Sequence, residues 1–185
     1  MTAKRLITAA LAILLTLPLA ACGKTEAYRD DVSASALSDT VSAKIPAEGG
    51  YDLSGADFLT YYFEGNPAID DFVIAASAAS SDVNEYGILH VNAIEQVSEV
   101  EKLAQVYLSN QRDFLSTFVN TYNAAEMAKL EEATVRVFGN YVVYTILSEA
   151  DTQAVMAAVE DMLLKQKILT KRPPCAGRSF TFVKI

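Results

Sequence analysis

Apolar residues recur along most of this chain at either helical or alternating spacing, and the changes between the two mark out its elements. Ala34, Leu37, Val41 and Ile45 fall on one helical face, with Asp30 or Asp31 as the cap and Pro46 and Gly49-Gly50 as the stop. A second short helix is expected over 55–63, opened by the capping pair Ser54 and Asp57 and closed by Gly65 and Pro67. Phe72 to Ser77 reads as a strand, Ser80 to Asn84 as a polar turn, and Tyr86 to Val91 as the returning strand. Asn92 with Glu95 then opens a long helix whose apolar face is Val97, Val100, Leu103, Tyr107, Phe114 and Phe118. A helical turn follows through Ala125 to Leu130. Thr134 to Phe138 and Tyr141 to Leu147 pair across a tight Gly139-Asn140 turn. Ser148 with Asp151 caps the last helix, and Val155, Val159, Met162 and Leu163 form its apolar face.

This order predicts an α+β fold. Its centre is an antiparallel four-stranded sheet made from two strand-strand-helix units, with helices packed on one face and N-terminal helices before it. A slide of 55 residues places Tyr86 on Tyr141, Val91 on Ile146, Val100 on Val155 and Leu108 on Leu163. Internal pseudo-symmetry and a hydrophobic rhythm common to any two such units both account for that match.

The first residues follow a different pattern. Lys4 and Arg5 precede an apolar run from Leu6 to Ala21, short of the roughly 20 residues a bilayer-spanning helix needs. The run ends Leu19-Ala20-Ala21-Cys22, with Gly23 next. Basic start, apolar stretch and small residues before a cysteine are the parts of a lipoprotein signal peptide. The expectation is a signal peptide over 1–21, lipid attachment at Cys22, a tether over 22–28, one α+β domain over 29–168 and a basic tail over 169–185. Gly23-Lys24-Thr25 imitates the end of a phosphate-binding loop, but Pro18 stands where that motif needs glycine.

Charge and candidate chemistry narrow the function further. The formal net charge is −8: residues 26–161 hold 23 acids and 6 basic residues, residues 162–185 hold 6 basic residues and no acid, and Lys4, Arg5 and Lys24 make up the rest. An acidic body does not attract nucleic acid. His90 is the one histidine and lies in an alternating strand, so it reads as a solvent-facing residue rather than a catalytic base. Asp82 to Gly87 imitates the start of a calcium loop, yet the later ligand places hold Tyr86 and Ala93, which leaves a hairpin turn. Asp30-Asp31, Asp70-Asp71 and Glu131-Glu132 sit at element boundaries, where acids serve as caps. Ser77, Ser80 and Ser81 lie in no nucleophile-elbow setting. Cys175, beside basic residues, reads as a free thiol. Of the tyrosines, Tyr61 and Tyr62 are adjacent, so a helix can bury one and expose the other as a contact residue. No catalytic residue, metal or cofactor is assigned.

The passage from Gln111 to Glu149 carries a resemblance. Phe114, Tyr122, Glu126-Met127-Ala128-Lys129-Leu130, Ala133, Val135 and Gly139-Asn140-Tyr141-Val142, with the Tyr61-Tyr62 pair and Asn84-Glu85-Tyr86-Gly87-Ile88, resemble a Firmicutes lipoprotein family known as domain of unknown function 4358. The resemblance covers roughly 29–165, and Asn123-Ala124 stands where many members have proline. It implies an exported, lipid-anchored domain of Gram-positive bacteria and supplies no catalytic residues. The expected product is a membrane-anchored lipoprotein facing outside the cytoplasm. It would be a non-catalytic module for another envelope protein or a small ligand, with a carboxylate-based envelope hydrolase as the alternative. That alternative needs two acids facing across a cleft, roughly 5–9.5 Å apart.

Overall fold

A computed structural model describes residues 28–79 and 82–164. The signal peptide over 1–21, Cys22, Ser80, Ser81, the basic tail and Cys175 lie outside the described residues. The elements in chain order are α1 (Ala34–Ser42), β1 (Tyr51–Leu53), α2 (Ala56–Tyr62), β2 (Ile69–Ser77), β3 (Glu85–Val91), α3 (Val97–Tyr122), α4 (Met127–Glu131), β4 (Thr134–Phe138), β5 (Tyr141–Ile146) and α5 (Glu149–Leu163). Short 3-10 turns at Ile94–Gln96 and Ala124–Glu126 lead into α3 and α4.

The fold is α+β, and its sheet is antiparallel throughout, in the order β1-β2-β3-β5-β4. Among the described residues it has five strands where the sequence predicts four. The extra strand is β1, where Tyr51, Asp52 and Leu53 pair with Ser77, Ala76 and Ala75. Three residues are too few to show alternation, and Gly49-Gly50 before them reads only as a helix stop. β1 also separates the two early helices, so only α1 precedes the sheet.

A second correction concerns layers. Helices cover both faces of the sheet, not one. On one face Leu37 and Val41 of α1 and Val155 and Val159 of α5 pack against Tyr86, Ile88, Phe138, Tyr141 and Val143. On the other, Phe63 after α2 and Val100, Ala104, Tyr107 and Leu108 of α3 pack against Ile74, Leu89, Val142, Tyr144 and Ile146. Every residue of β5 is buried. A strand covered on both sides reads as a near-continuous apolar run, and Tyr141 to Leu147 is such a run, broken only by Thr145.

The 55-residue match holds between β3 and β5 and fails in the helices. Tyr86 and Tyr141 share one face and Val91 and Ile146 lie on the other, as a two-fold normal to the sheet requires. Val100 and Val155, however, lie on opposite faces. The connections explain this. Only Leu147 and Ser148 separate β5 from α5, and buried Leu147 turns the chain onto the near face. Asn92 to Gln96 carry the chain from β3 to the other side.

The caps are also redistributed. Ser33, not Asp30 or Asp31, caps α1, its hydroxyl accepting from the Ala36 amide. Ser54 and Asn92 cap nothing: Gly55 opens α2 with no side-chain bond, and the Asn92 side-chain Nδ2 donates to the Pro67 carbonyl at 3.2 Å. Ser148 caps α5 as expected, accepting from the Asp151 amide at 3.2 Å while its hydroxyl donates to the Asp151 carboxylate at 2.7 Å. Tyr28, at the end of the expected tether, packs its ring on Phe138, and Leu164 bridges back to it.

Candidate functional site

Three places gather polar or aromatic chemistry. The first is the start of β3. Antiparallel register sets Gly87 opposite Tyr144. With no Cβ on Gly87 the Tyr144 ring lies flat across it; a Cβ there would stand 2.0 Å from Cε1 of the ring. The tyrosine hydroxyl then reaches Glu85, two residues back on the same face, and donates to Oε1 at 2.8 Å. The Tyr107 hydroxyl of α3 donates to the same oxygen at 2.7 Å. Phe63 and Phe58 close over the two phenols. Burial pushes the Glu85 carboxyl above its ordinary value, and the two phenol hydrogen bonds only partly oppose it. Burial likewise raises both phenols, so they stay protonated donors. The arrangement ties β3, β5 and α3 together around one enclosed carboxyl. Neither groove described below includes Glu85 in its lining.

The second place is His90. The expectation of a solvent-facing ring is corrected: its side chain is 16% exposed. A register shift between Ile69 and Asp71 leaves Asp70 unpaired in the ladder and aims it at His90, where Oδ1 meets Nδ1 at 2.5 Å. The imidazole lies 4.9 Å from the Tyr141 ring, and its Nε2 is enclosed with no hydrogen-bond partner among the described residues. An imidazole closed at that nitrogen has no route by which to take a substrate proton. Its neighbours are structural. Asp71 accepts from the Ala34 amide at 2.7 Å, while the Tyr141 hydroxyl donates to the Val32 carbonyl at 2.6 Å.

The remaining sequence candidates separate. Asp82 accepts from the Asn84 amide at 3.2 Å, the side-chain turn expected of the hairpin. Asp31 pairs with Arg29, and Glu126 accepts from the Val83 amide and from Lys129. Among the described residues no three His, Cys, Asp or Glu side chains converge as a metal cradle. Two grooves stand out among the described residues. One, of about 290 Å³, lies between α3, α4 and β4 and carries Arg112 and Glu131. The other, of about 410 Å³, lies between α1 and β1 beside Asp39, Tyr51 and Tyr86. Each has one carboxylate in its lining.

The third place is the outer face of α3. Phe114 and Phe118, expected in the core, are 81% and 54% exposed, and Tyr122 is 75% exposed. The buried positions of this helix are Val97, Val100, Ala104, Tyr107, Leu108 and Val119. The core stripe therefore keeps its helical spacing through Leu108 and has only Val119 beyond it. Arg112 already lies level with Thr134, the first residue of β4, so the next turns run past the sheet. On α2, Tyr61 and Tyr62 are both exposed, 81% and 48%, so neither is buried as expected, although Tyr62 leans against Tyr107 and Phe58.

The Glu85 site was missed in the sequence. Its only signal was an acid opening an otherwise apolar strand beside Tyr86-Gly87. A family profile described as Domain of unknown function (DUF4358) matches residues 55–147, from α2 to the end of β5. Neither a search of curated proteins nor one of solved structures finds a match.

Proposed function

This chain belongs to the DUF4358 family, a domain of unknown function, and from that premise we propose that it is a non-catalytic interaction module held outside the cytoplasm by lipid on Cys22. The observation that carries the interaction reading is the aromatic row on α3, where Phe114, Phe118 and Tyr122 point their rings into solvent. Contiguous exposed aromatic rings mark interaction surfaces more often than isolated ones do. The face is a convex helix surface rather than a concave pocket, which suits a protein partner better than a small ligand. Anchoring rests on the Leu19-Ala20-Ala21-Cys22 sequence alone. A carboxylate hydrolase would need a second acid facing Glu131 or Asp39 across its groove.

Two measurements test this reading. Cys22→Ala should abolish incorporation of labelled fatty acid and release the chain from membranes washed with alkaline carbonate, since acyl chains supply roughly 0.8 kcal/mol per buried CH₂. Retention in the washed membranes would assign the anchor to an uncleaved helix instead. A photo-crosslinking side chain at position 114 should give a discrete product in intact cells, and one at exposed Asp161 should not. No product at 114 would remove the interaction reading.

A further inference from the structure

The two ends of the described chain meet at one corner of the domain. Leu164 pairs with Tyr28 as an isolated antiparallel bridge, and the Tyr28 hydroxyl donates to Glu160 of α5 at 3.1 Å. The chain before Tyr28 and the chain after Leu164 therefore leave the fold side by side. Six residues lead from Cys22 to Tyr28, about 20 Å of chain at full stretch. A lipid on Cys22 holds this corner within about that distance of the membrane surface, and the root of residues 165–185 with it. Glu85 pairs with Ile146 at the far end of the strands, so the membrane-facing end is the one that carries the clasp.

Charge gives that nearness a consequence. Residues 28–164 hold 22 acids and 6 basic residues, a balance of −16. Residues 165–185 hold Lys165, Lys167, Lys171, Arg172, Arg178 and Lys184 and no acid. An anionic bilayer repels the body and attracts the tail. Each Lys or Arg close to such a surface favours binding about fivefold, and the effect fades within a Debye length, about 8 Å in physiological salt. The 21 residues of the tail span up to about 70 Å, so all six charges can reach that surface. The acids of the body compete less well. A fixed exposed carboxylate gains little from pairing with a long side chain, whereas anionic lipids diffuse to gather beneath each cation. Acids at this corner are also engaged: Glu160 accepts from Tyr28, Asp71 from the Ala34 amide and Asp31 from Arg29. We propose that residues 165–185 are a second membrane contact, binding anionic phospholipid headgroups beside the lipid on Cys22. This inference rests on the reading of Cys22 as the lipid-bearing residue and adds the class of lipid that the anchored domain prefers.

The test uses the full chain as the cell makes it, extracted in detergent and reconstituted into two kinds of vesicle. One is pure phosphatidylcholine and the other has about one-third phosphatidylglycerol, which supplies the negative surface. A bimane dye is placed on Cys175, since an acylated Cys22 has no free thiol to take it. Nitroxide-bearing headgroups quench bimane only near contact. Quenching should be about twofold or more stronger on the anionic vesicles. It should return to the phosphatidylcholine value in about 1 M salt, where the Debye length is about 3 Å. Lys165→Gln, Lys167→Gln, Lys171→Gln and Arg172→Gln together should remove at least about half of the excess, since they take away four of the six charges. The salt titration reads the same contact in the unaltered chain, whatever the substitutions do to folding. Equal quenching on both vesicles would put the tail on the acidic body or in solution, and would overturn the proposal while leaving the anchor standing. An excess that survives the salt would assign the contact to apolar residues of the tail and overturn the headgroup reading. Two dyes per chain, or a chain that floats with neither vesicle, would show Cys22 unacylated and overturn the anchor and this inference together.

Discussion

At Glu85 two effects oppose each other: burial disfavours the ionised carboxyl, and hydrogen bonds from Tyr107 and Tyr144 favour it, with burial the larger. The unfolded chain keeps the ordinary carboxylate value near 4.5, so the folded chain binds this proton more tightly. The stability this group contributes is therefore fully present below the ordinary range and is lost as pH rises through the raised folded value. The slope in that window is at most about 1.4 kcal/mol per pH unit. Glu85→Gln keeps an oxygen for both phenols and removes the titration. Denaturant unfolding should show the variant gaining on the parent as pH rises from the ordinary carboxylate range through the raised folded value, and a constant difference would mean that the carboxyl titrates alike in the folded and unfolded chain. Two residues along, Gly87→Ala tests the close approach. Its Cβ would meet a Tyr144 ring that is fully buried and tied by its hydroxyl to Glu85, so the ring cannot step aside. Overpacking costs typically about 1–3 kcal/mol and occasionally more. We expect about 3 kcal/mol here, read from the urea midpoint.

The β4–β5 hairpin is the element on which local chemistry and tertiary packing agree most closely. Phe138 pairs with Tyr141 across a two-residue turn, and Gly139 sits at φ +59°. A Cβ on Gly139 would also lie 3.1 Å from the Cβ of Tyr28. Gly139→Val should destabilise the domain by roughly 1–3 kcal/mol, the cost of a β-branched residue in that backbone region. An unchanged melting midpoint would show that the turn tolerates valine. The hairpin was legible because its signal is local: alternating apolar residues and a Gly-Asn turn within fifteen positions. Ser148 was legible for the same reason. What could not be read was set by distance along the chain. β1 exists because Ser77, Ala76 and Ala75 offer it an edge. Phe114 and Phe118 continue the helical rhythm of α3 but find no sheet beneath them. His90 pairs with Asp70 because a bulge twenty residues earlier aims the acid at it. The helix layers were misjudged because an apolar run such as Tyr141 to Leu147 does not say which of its two faces a given helix will cover.

Taken as a whole, the described molecule closes on itself. The Arg29 amide donates to the Leu163 carbonyl at 2.8 Å, Leu164 bridges to Tyr28, and Tyr28 lies against the Phe138–Gly139 corner of the sheet. Glu85 pairs with Ile146 at the other end of the strands, so the enclosed carboxyl sits remote from that corner, in the direction in which α3 runs on to its aromatic row. Domains whose two ends adjoin tolerate being spliced into other chains, since the host backbone can leave and return at nearly the same point. Residues 28–164, inserted through short glycine-serine joints into a surface loop of an unrelated carrier, should melt within a few degrees of the parent protein. A large drop would mean that the Tyr28–Leu164 clasp depends on what flanks it. The clasp makes this body a portable cassette, a part that can be moved between proteins without being recut.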